Sequence, residues 1–404
     1  MTSSMALTLT CVVPLPPYPA GSAVVCADVL TELAMRGHRV RAIAPIAEGA
    51  RGNGDDPTRR APRVPVTRFS VPYFEMFRFT ARDGASAEYR ACERAGVRDA
   101  LRSSLEAERP DVVLIGREIY GWYVNDIVSA ASLPWVLLSH GGPTTAIRHG
   151  AWPPTESQEL LAGMAAADVV VSVAEHWRVV LRELGLPRVV CIPNPVDLER
   201  FAPGPRDIRL MRRLGVVPDD VVVLHASNLS LVKRVRDVVA AADLALKSDR
   251  RLLFVVVGDG PEREHAERLC QELGVMARFR FVGWVEHGAM PDYVRLADVV
   301  VVPSEHETQS LVYLEAQASG RCLVASDVPG AAEVVSHEKT GLLFPMGDVT
   351  RLADVLVAAA RDGARRNAIG LAARASVGTH ALPGVTDAYE ALLQHVKVAR
   401  QNQL

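Results

Sequence analysis

The sequence predicts an α/β protein of two domains, each built on a parallel β-sheet covered by helices. Short apolar runs alternate with stretches of helical periodicity along most of the chain, which is typical of βαβ units. The chain has 404 residues, more than one ordinary hydrophobic core holds. The alternation begins again after Asn194–Pro205, a polar segment with three prolines that we interpret as the linker between the domains.

The chain opens with a predicted βαβ unit. Leu7–Val13 has the continuous apolar character of a buried strand, and Pro14–Gly21 follows as a turn. Ser22–Arg36 carries apolar residues at helical spacing, and Gly37 is suited to end that helix. Arg39–Ala44 is the second strand. A helix between two such strands indicates a parallel pair.

The rest of the N-terminal half continues the alternation. Further strands are predicted at Val112–Ile115, Trp135–Ser139, Val169–Val173 and Val189–Ile192, with helical stretches between them. Arg51–Pro65 is polar and rich in glycine, proline and arginine, so we expect a mobile surface loop there.

The C-terminal half repeats the pattern. Its predicted strands are Val221–Ala226, Leu252–Val257, Arg280–Val282, Val299–Pro303 and Cys322–Ser326. Its predicted helices are Arg236–Leu246, Glu262–Leu273, Met290–Leu296, Leu311–Ser319, Ala331–Val335 and Leu352–Ala360. An amphipathic helix is expected at Val385–Val396 near the end of the chain.

Composition excludes several classes of function. The formal net charge is −2, so the chain lacks the broad positive field that binds nucleic acid or anionic lipid. We find no apolar run near the about 18–20 residues that span a bilayer. The six cysteines form no C-x-x-C pair, which favours a reduced, cytoplasmic protein without a structural zinc site.

The strongest group of polar residues follows the strand that ends at Pro303. Glu307 lies in the loop, a helix opens at Ser310 and Leu311, and Glu315 lies about two turns into that helix. Ligands of such sheets bind beyond the carboxyl ends of the strands, and the free N–H groups at a helix N-terminus suit a phosphate. The plain alternative is a solvated loop glutamate and a glutamate on the helix surface.

A basic group, Lys233 and Arg234, follows another buried strand and precedes a helix. The two cations suit a diphosphate, although a solvated basic turn would look similar. Lysine is scarce in this chain, which has four lysines and abundant arginine, so a lysine at this position draws attention.

Two glycine turns follow neighbouring strands. Gly258-Asp259-Gly260-Pro261 is a tight turn, and the third glycine of a dinucleotide fingerprint is replaced by Arg263. Backbone groups of Gly283-Trp284-Val285 are placed to contact a nucleobase, while the Trp284 side chain is more typical of a core or an interface.

The N-terminal half offers two candidates. Gly21 lies where the first loop becomes a helix and would let the backbone approach a phosphate or an acceptor. His140 ends a predicted strand and could bond a sugar hydroxyl or a developing charge, or act as a structural partner. We find no D-x-D metal pattern, and Asp55-Asp56 and Asp219-Asp220 are interpreted as solvated turns.

Taken together, these segments resemble the retaining glycosyltransferases of family 4, which have the GT-B fold of two Rossmann-like domains facing across a cleft. The family pattern is supplied here by Lys233, Gly258-Asp259-Gly260-Pro261, Phe281-Val282-Gly283, Ala297-Asp298, Pro303-Ser304, Glu307, Glu315, Glu333, Gly341 and Gly347-Asp348. The resemblance covers most of the chain and is strongest from about Val221 to Leu352. Asn194-Pro195-Val196-Asp197 is also similar to the family's linker motif.

The resemblance implies a donor site in the C-terminal domain. It assigns Glu307 to the donor sugar and Glu315 to the ribose of the nucleotide, with Lys233 and Arg234 at the diphosphate. It implies an N-terminal domain of residues 1–195 on the acceptor side, joined by a C-terminal helix at 385–404, and a donor domain at 196–384. A UDP-sugar is the expected co-substrate, with no cofactor and no metal ion. The acceptor and any association between copies stay open.

Three positions depart from the family pattern. Asn228 replaces the usual arginine, Thr308-Gln309-Ser310 replaces a glycine-rich triplet, and Gly330-Ala331 replaces a glycine pair. Asn228 with Lys233-Arg234 resembles the variant in bacterial N-acetylglucosaminyl-malate synthases, to which Gln309 does not conform. A sugar-nucleotide epimerase, a phosphorylase or a non-catalytic sugar-nucleotide sensor on the same fold stay as alternatives.

Overall fold

The computed structural model describes residues 6–16, 18, 20–48, 64–72 and 87–402. The chain divides into two compact units. The first unit comprises Met1–Pro195 together with Leu382–Leu404, and the second unit comprises Val196–Ala381.

The first unit alternates strands and helices. In chain order it contains β1 (Thr8–Val12), α1 (Gly21–Met35), β2 (Arg39–Ala47), β3 (Val66–Val71), α2 (Ala87–Ala107), β4 (Val112–Ile115), α3 (Glu118–Ala130), β5 (Trp135–Ser139), α4 (Gly142–Arg148), α5 (Pro154–Ala165), β6 (Val169–Ser172), α6 (Glu175–Glu183) and β7 (Val189–Cys191).

In the described part of the first unit, these strands form one parallel sheet of seven in the order β3-β2-β1-β4-β5-β6-β7. The chain leaves β1 toward β2 and β3 on one side, and returns through β4 on the other. This reversal beside β1 is the switch point at which open α/β sheets bind ligands.

The second unit follows the same plan. It contains α7 (Ile208–Leu214), β8 (Val221–Ala226), α8 (Val235–Leu246), β9 (Leu252–Val257), α9 (Arg263–Glu272), β10 (Phe279–Gly283), α10 (Met290–Leu296), β11 (Val299–Val302), α11 (Leu311–Ala318), β12 (Cys322–Ser326), α12 (Pro329–Ala332), β13 (Leu342–Phe344), α13 (Val349–Arg361) and α14 (Gly363–Ser376). A last helix, α15 (Leu382–Gln401), belongs to the first unit.

Among residues 196–381, all of which are described, six strands form a parallel sheet in the order β10-β9-β8-β11-β12-β13. Both faces of this sheet are buried, because successive side chains of a strand point to opposite faces. In β8, Val223 enters one hydrophobic cluster, while Val222 and Leu224 enter the other. The switch point lies between β8 and β11, which pair directly.

The predicted α/β class with two parallel sheets is confirmed, and every predicted strand is present with shifts of a few residues at its ends. The helix expected at Ala331–Val335 is wrong in its bounds, since α12 is the short turn Pro329–Ala332. Residues from Val196 onward pack with the second unit, and Phe201 is buried in its core, so the segment read as a linker is largely part of that unit. Most of the loop expected at Arg51–Pro65 lies outside the described residues.

Several elements escaped the sequence analysis, namely β3, α7, β13 and α14. Helix α7 begins at a signal that could have revealed it, because the Asp207 side chain accepts bonds from the Arg209 and Leu210 amides. Asp362 caps α14 by accepting from the Arg365 amide. Strand β13 has three residues, too few for a period to show. No helix in the described part of the chain combines the length and apolar character needed to cross a membrane.

Gly258 provides a test of how tightly the turn after β9 is packed. Its φ of +116° lies in the left-handed region, and an added Cβ would overlap the carbonyl oxygen of Ser227. We expect Gly258→Ala to lower the free energy of unfolding by more than about 1 kcal/mol. Gly378→Ala is the matched control, because a Cβ there meets open space. Equal urea midpoints for the two variants would contradict this account.

Candidate active site

An ion pair joins the two loops beside the switch point of the second unit. Lys233 Nζ lies 2.7 Å from Glu307 Oε1, and the Ser304 hydroxyl donates to the same oxygen at 2.7 Å. Lys233 follows β8 and Glu307 follows β11, the two strands that flank the switch point. The backbones of the two loops are also joined, since the Glu305 N–H donates to the Val232 carbonyl at 2.8 Å. Two residues that are far apart in sequence thereby share one polar centre.

Gly330 presses α12 against the backbone of the Glu307 loop. An added Cβ would overlap the Glu307 carbonyl oxygen and lie 2.7 Å from the Thr308 carbonyl oxygen. Ala331, the second residue of the altered glycine pair, is fully buried in the core of the unit. The close approach therefore requires the first glycine of the pair, and this chain retains it.

The loop from Thr308 to Ser310 is buried although its side chains are polar. It leads directly into α11, for which Ser310 is the N-cap residue and Leu311 the first residue. Gln309, predicted as a site residue, is 8% exposed. Helix α11 thus begins at Leu311, where the sequence analysis expected a helix to open, and its N-terminus lies shortly after Glu307 in the chain.

Glu315 is held by a histidine that the sequence analysis missed. His287 Nε2 lies 2.7 Å from Glu315 Oε1, and His287 Nδ1 lies 2.9 Å from Arg200 Nη2. Because a guanidinium can only donate, Nδ1 must accept, and the ring proton lies on Nε2 and is donated to Glu315. Arg200 also donates to the His287 carbonyl oxygen.

The motif Asn194-Pro195-Val196-Asp197, which resembles the family's linker, explains where Arg200 lies. The Asp197 side chain accepts from the Glu199 and Arg200 amides at 3.0 Å each, which shapes the turn that carries Arg200. Phe201 packs beside the His287 ring, with 5.6 Å between the ring centroids. The motif therefore fixes His287, and through it Glu315. No spacing in the sequence signals this contact, which depends on the packing of the turn.

A second buried histidine shapes the loop that carries Lys233. His225 Nδ1 donates to the Val301 carbonyl at 3.1 Å, so its Nε2 accepts from the Ser227 hydroxyl at 2.9 Å. Ser227 Oγ in turn accepts from the Leu229 amide at 3.1 Å. Leu229 and Arg234 have positive φ angles of 37° and 52°, a strained conformation that collects at functional sites.

Asn228 and Arg234 both have partners in or near the loop that follows β8. The Asn228 side-chain oxygen accepts from Ser230 at 3.1 Å. Arg234 donates to Asp237 at 2.7 Å, with Glu305 3.8 Å away. Arg234 is thus paired with carboxylates in this structure, and its place beside Lys233 at a diphosphate stays a prediction.

The two glycine turns lie against each other. The Gly258 N–H donates to the Gly283 carbonyl at 2.8 Å, which brings the ends of β9 and β10 together. Val285 is partly buried against the core. Trp284 is 48% exposed, which excludes the core alternative for this residue, while the interface alternative stays a prediction.

The remaining candidates, Gly21 and His140, lie at the carboxyl edge of the first unit's sheet. Gly21 begins α1, after the loop that follows β1. Glu118 Oε1 accepts from Ser139 Oγ and from the Gly141 amide at 2.9 Å each, so both neighbours of His140 are fixed. Burial lowers the pKa of His140 to about 4, which leaves its ring neutral at pH 7.

Two family models match the chain in succession. Residues 19–200 match the model for glycosyltransferase family 4, and residues 208–376 match that for glycosyl transferases group 1. The N-acetyl-alpha-D-glucosaminyl L-malate synthase of Bacillus anthracis is 27% identical over 368 residues, 89% of this chain and 90% of that protein. A D-inositol 3-phosphate glycosyltransferase of Nocardia farcinica is 31% identical over 299 residues, 69% of this chain and 65% of the relative.

A solved structure shows the same fold. Anabaena HepE, crystallised with UDP and glucose, superposes with a TM-score of 0.77 at 19% identity, over 96% of this chain and 99% of its own. The two parallel sheets with polar loops at their switch points therefore define a protein with the GT-B architecture. The chain belongs to the family 4 glycosyltransferases and is a glycosyltransferase.

The His225 bonds generate a prediction about pH. Burial, reinforced by the nearby Lys233 charge, lowers the pKa of His225 from 6.5 to about 4. Between these values the unfolded chain binds a proton that the folded chain does not, so stability is lost as the pH falls through this window. We expect His225 to account for about 2 kcal/mol of the stability lost between about pH 7.5 and pH 5.

The measurement is urea unfolding at both pH values for the wild type, His225→Asn and the surface variant His265→Asn. The loss on acidification should shrink in His225→Asn and stay unchanged in His265→Asn. An unchanged loss in His225→Asn would show that this histidine titrates normally.

Proposed function

We propose that the protein is a retaining glycosyltransferase that takes its sugar from a UDP-sugar and needs no metal ion. The observation that carries the proposal is the Lys233–Glu307 pair at the switch point, next to the N-terminus of α11. A lysine ammonium and the free N–H groups of a helix supply the positive charge that a metal ion provides for a diphosphate in other enzymes. The UDP bound by HepE supports the same nucleotide class.

The chemistry required of this site is the stabilisation of departing charge. As the bond between the sugar's anomeric carbon and the diphosphate breaks, its electron pair moves to the phosphate oxygen. The acceptor hydroxyl forms the new bond on the same face of the sugar, and its proton passes to that phosphate oxygen. Lys233 would bind the leaving oxygens, and electrostatic stabilisation of this kind is usually a large part of catalysis.

The two glutamates would divide recognition of the donor. Glu307 is 7% exposed and shares its oxygen with Lys233 and Ser304, so one carboxylate oxygen is left to meet a sugar hydroxyl. Glu315 is oriented by His287 and would accept hydrogen bonds from the ribose hydroxyls. The acceptor would bind in the first unit. The names of the relatives, a malate synthase and an inositol phosphate glycosyltransferase, suggest that this acceptor is a small molecule.

Thermal unfolding with and without ligand tests the proposal. A ligand that binds only the folded state raises the melting temperature by mass action. UDP and UDP-sugars should raise it equally well in EDTA and in manganese, whereas ADP and GDP should raise it less. Turnover that vanishes in EDTA and returns with manganese would disprove the metal-free mechanism. Isomerised UDP-sugar formed without an acceptor would favour an epimerase.

Lys233 gives the first prediction for catalysis. We expect Lys233→Ala to lower kcat by about 10²–10³, the usual cost of losing one donor aimed at a developing charge. The variant also leaves the Glu307 carboxylate without its cation, which destabilises the fold. The double variant Lys233→Ala/Glu307→Gln should regain stability, and Glu307→Gln alone shows how much of the lost turnover belongs to the glutamate. A folded Lys233→Ala enzyme with near-normal kcat would refute the assignment.

Glu315 and His287 give a second prediction, which concerns recognition of the ribose. Glu315→Gln and His287→Ala should both reduce the preference for UDP over 2′-deoxy-UDP, because both loosen the carboxylate assigned to the ribose. Glu307→Gln is the comparison, and should lower turnover with little change in that preference. Titration calorimetry with the two nucleotides measures the ratio. An unchanged ratio in Glu315→Gln would remove the ribose assignment, and an unchanged ratio in His287→Ala alone would limit His287 to packing.

A further inference from the structure

Arg117 lies at the switch point of the first unit. It directly follows β4, which pairs with β1, and it precedes α3. The turn that carries it is pressed against the end of β1, since a Cβ added at Gly116 would lie 2.8 Å from Val13 Cγ1. This is the position at which a doubly wound sheet binds its ligand.

The Arg117 guanidinium is bonded through Nη1, and the edge formed by Nε and Nη2, called the open edge below, is bonded to no described residue. It lies over the rings of Tyr18 and Tyr120, at 5.2 Å and 5.0 Å from their centroids. Its Nη1 donates to Glu93 Oε1 at 3.1 Å and to the Tyr120 hydroxyl at 3.4 Å. In the described part of the chain, Nε and Nη2 donate to no acceptor, and 23% of the side chain is exposed.

The open edge has a defined chemical complement. The Nε–H and Nη2–H bonds of arginine are parallel and match the two oxygens of a carboxylate or a phosphate. The rings of Tyr18 and Tyr120 fix the plane of the guanidinium, so little conformational freedom is lost when such a group binds. Glu93 is 1% exposed and reaches the guanidinium only through Nη1, so it leaves this edge to an outside ligand.

His140 follows β5, the strand that pairs directly with β4, and it has an unused ring nitrogen. Glu118, the residue after Arg117, bonds both neighbours of His140 and so ties the two loops together. The Arg117 charge adds to burial in lowering the pKa of His140. His140 Nε2 is buried and has no hydrogen-bond partner among the described residues. A buried polar atom of this kind is costly unless a ligand or water completes it.

We propose that Arg117 and His140 form the acceptor site, and that the acceptor is a small hydroxylated molecule carrying a carboxylate or a phosphate. Nε and Nη2 of Arg117 bind two oxygens of the anionic group, and His140 Nε2 bonds a hydroxyl or the remaining oxygen. The word acceptor rests on the proposed function, whereas the anion site itself does not.

A structural explanation of the cluster competes with this proposal. Arg117 also ties α2 to α3 through Glu93, and its loss could act through that contact alone. Arg98 provides the matched control, because it joins the same two helices. It donates to both carboxylate oxygens of Asp126, at 2.6 Å and 2.7 Å, and its side chain is 19% exposed.

The experiment titrates inorganic phosphate and succinate into the full-length protein at constant ionic strength, with saturating UDP to fill the donor site. The variants are Arg117→Met, Arg117→Lys and Arg98→Met, and myo-inositol is the uncharged probe. Arg117→Met should weaken the binding of at least one anion by about tenfold or more. Arg117→Lys, which keeps the charge but not the parallel pair of N–H groups, should weaken it in the same direction. Arg98→Met should bind as the wild type does.

Three outcomes would overturn the proposal: a wild type that binds neither anion, an Arg117→Lys or Arg117→Met protein that binds them normally, or an Arg98→Met protein that loses them equally. The relative affinities for phosphate and succinate decide which anionic group the site prefers. If UDP did not bind, the proposed UDP-sugar donor would be wrong. The comparison of Arg117→Met with Arg98→Met, made without UDP, would still show whether Arg117 binds anions.

Discussion

The pairing of Lys233 with Glu307 holds the two loops at the switch point of the second unit. The strands before these loops are parallel neighbours, so their carboxyl ends meet at one edge of the sheet. The loops contribute opposite charges to a partly buried place, where each ion needs the other. Ser304 completes the centre, and its carbonyl accepts from the Ser326 hydroxyl at the end of β12. Three consecutive strand ends are thereby joined through polar contacts.

Close backbone packing supports this centre from the outside. The turn at Gly258 lies against the carbonyl of Ser227, and α12 lies against the carbonyl of Glu307 through Gly330. Neither approach leaves room for a side chain, so each loop is fixed by its neighbours as well as by its own hydrogen bonds. The strained backbone of Leu229 and Arg234 persists because the surrounding contacts determine it.

The two units place similar chemistry on opposite sides of their switch points, since Lys233 follows β8, the counterpart of β1, and Arg117 follows β4, the counterpart of β11. Each has a cation next to the switch point, Lys233 in one and Arg117 in the other, and each cation is paired with a buried glutamate. The cations differ in kind. Lysine is a point charge suited to following a departing phosphate, whereas the planar guanidinium of arginine suits a fixed carboxylate or phosphate group.

The sequence by itself determined the α/β class, the strands of both sheets except β3 and β13, and the polar loops that follow β8 and β11. Apolar runs such as Val299–Val302 and the polar residues after them are local signals, and parallel sheets bring strand ends together by rule. Only the tertiary structure decided which polar groups meet. Glu307 pairs with Lys233, and His287 bonds Glu315, although the partners are distant in sequence. The same holds for Arg117, whose bond to Glu93 leaves its other N–H groups without an acceptor among the described residues. Their contacts depend on side-chain direction and loop packing, which no local pattern records.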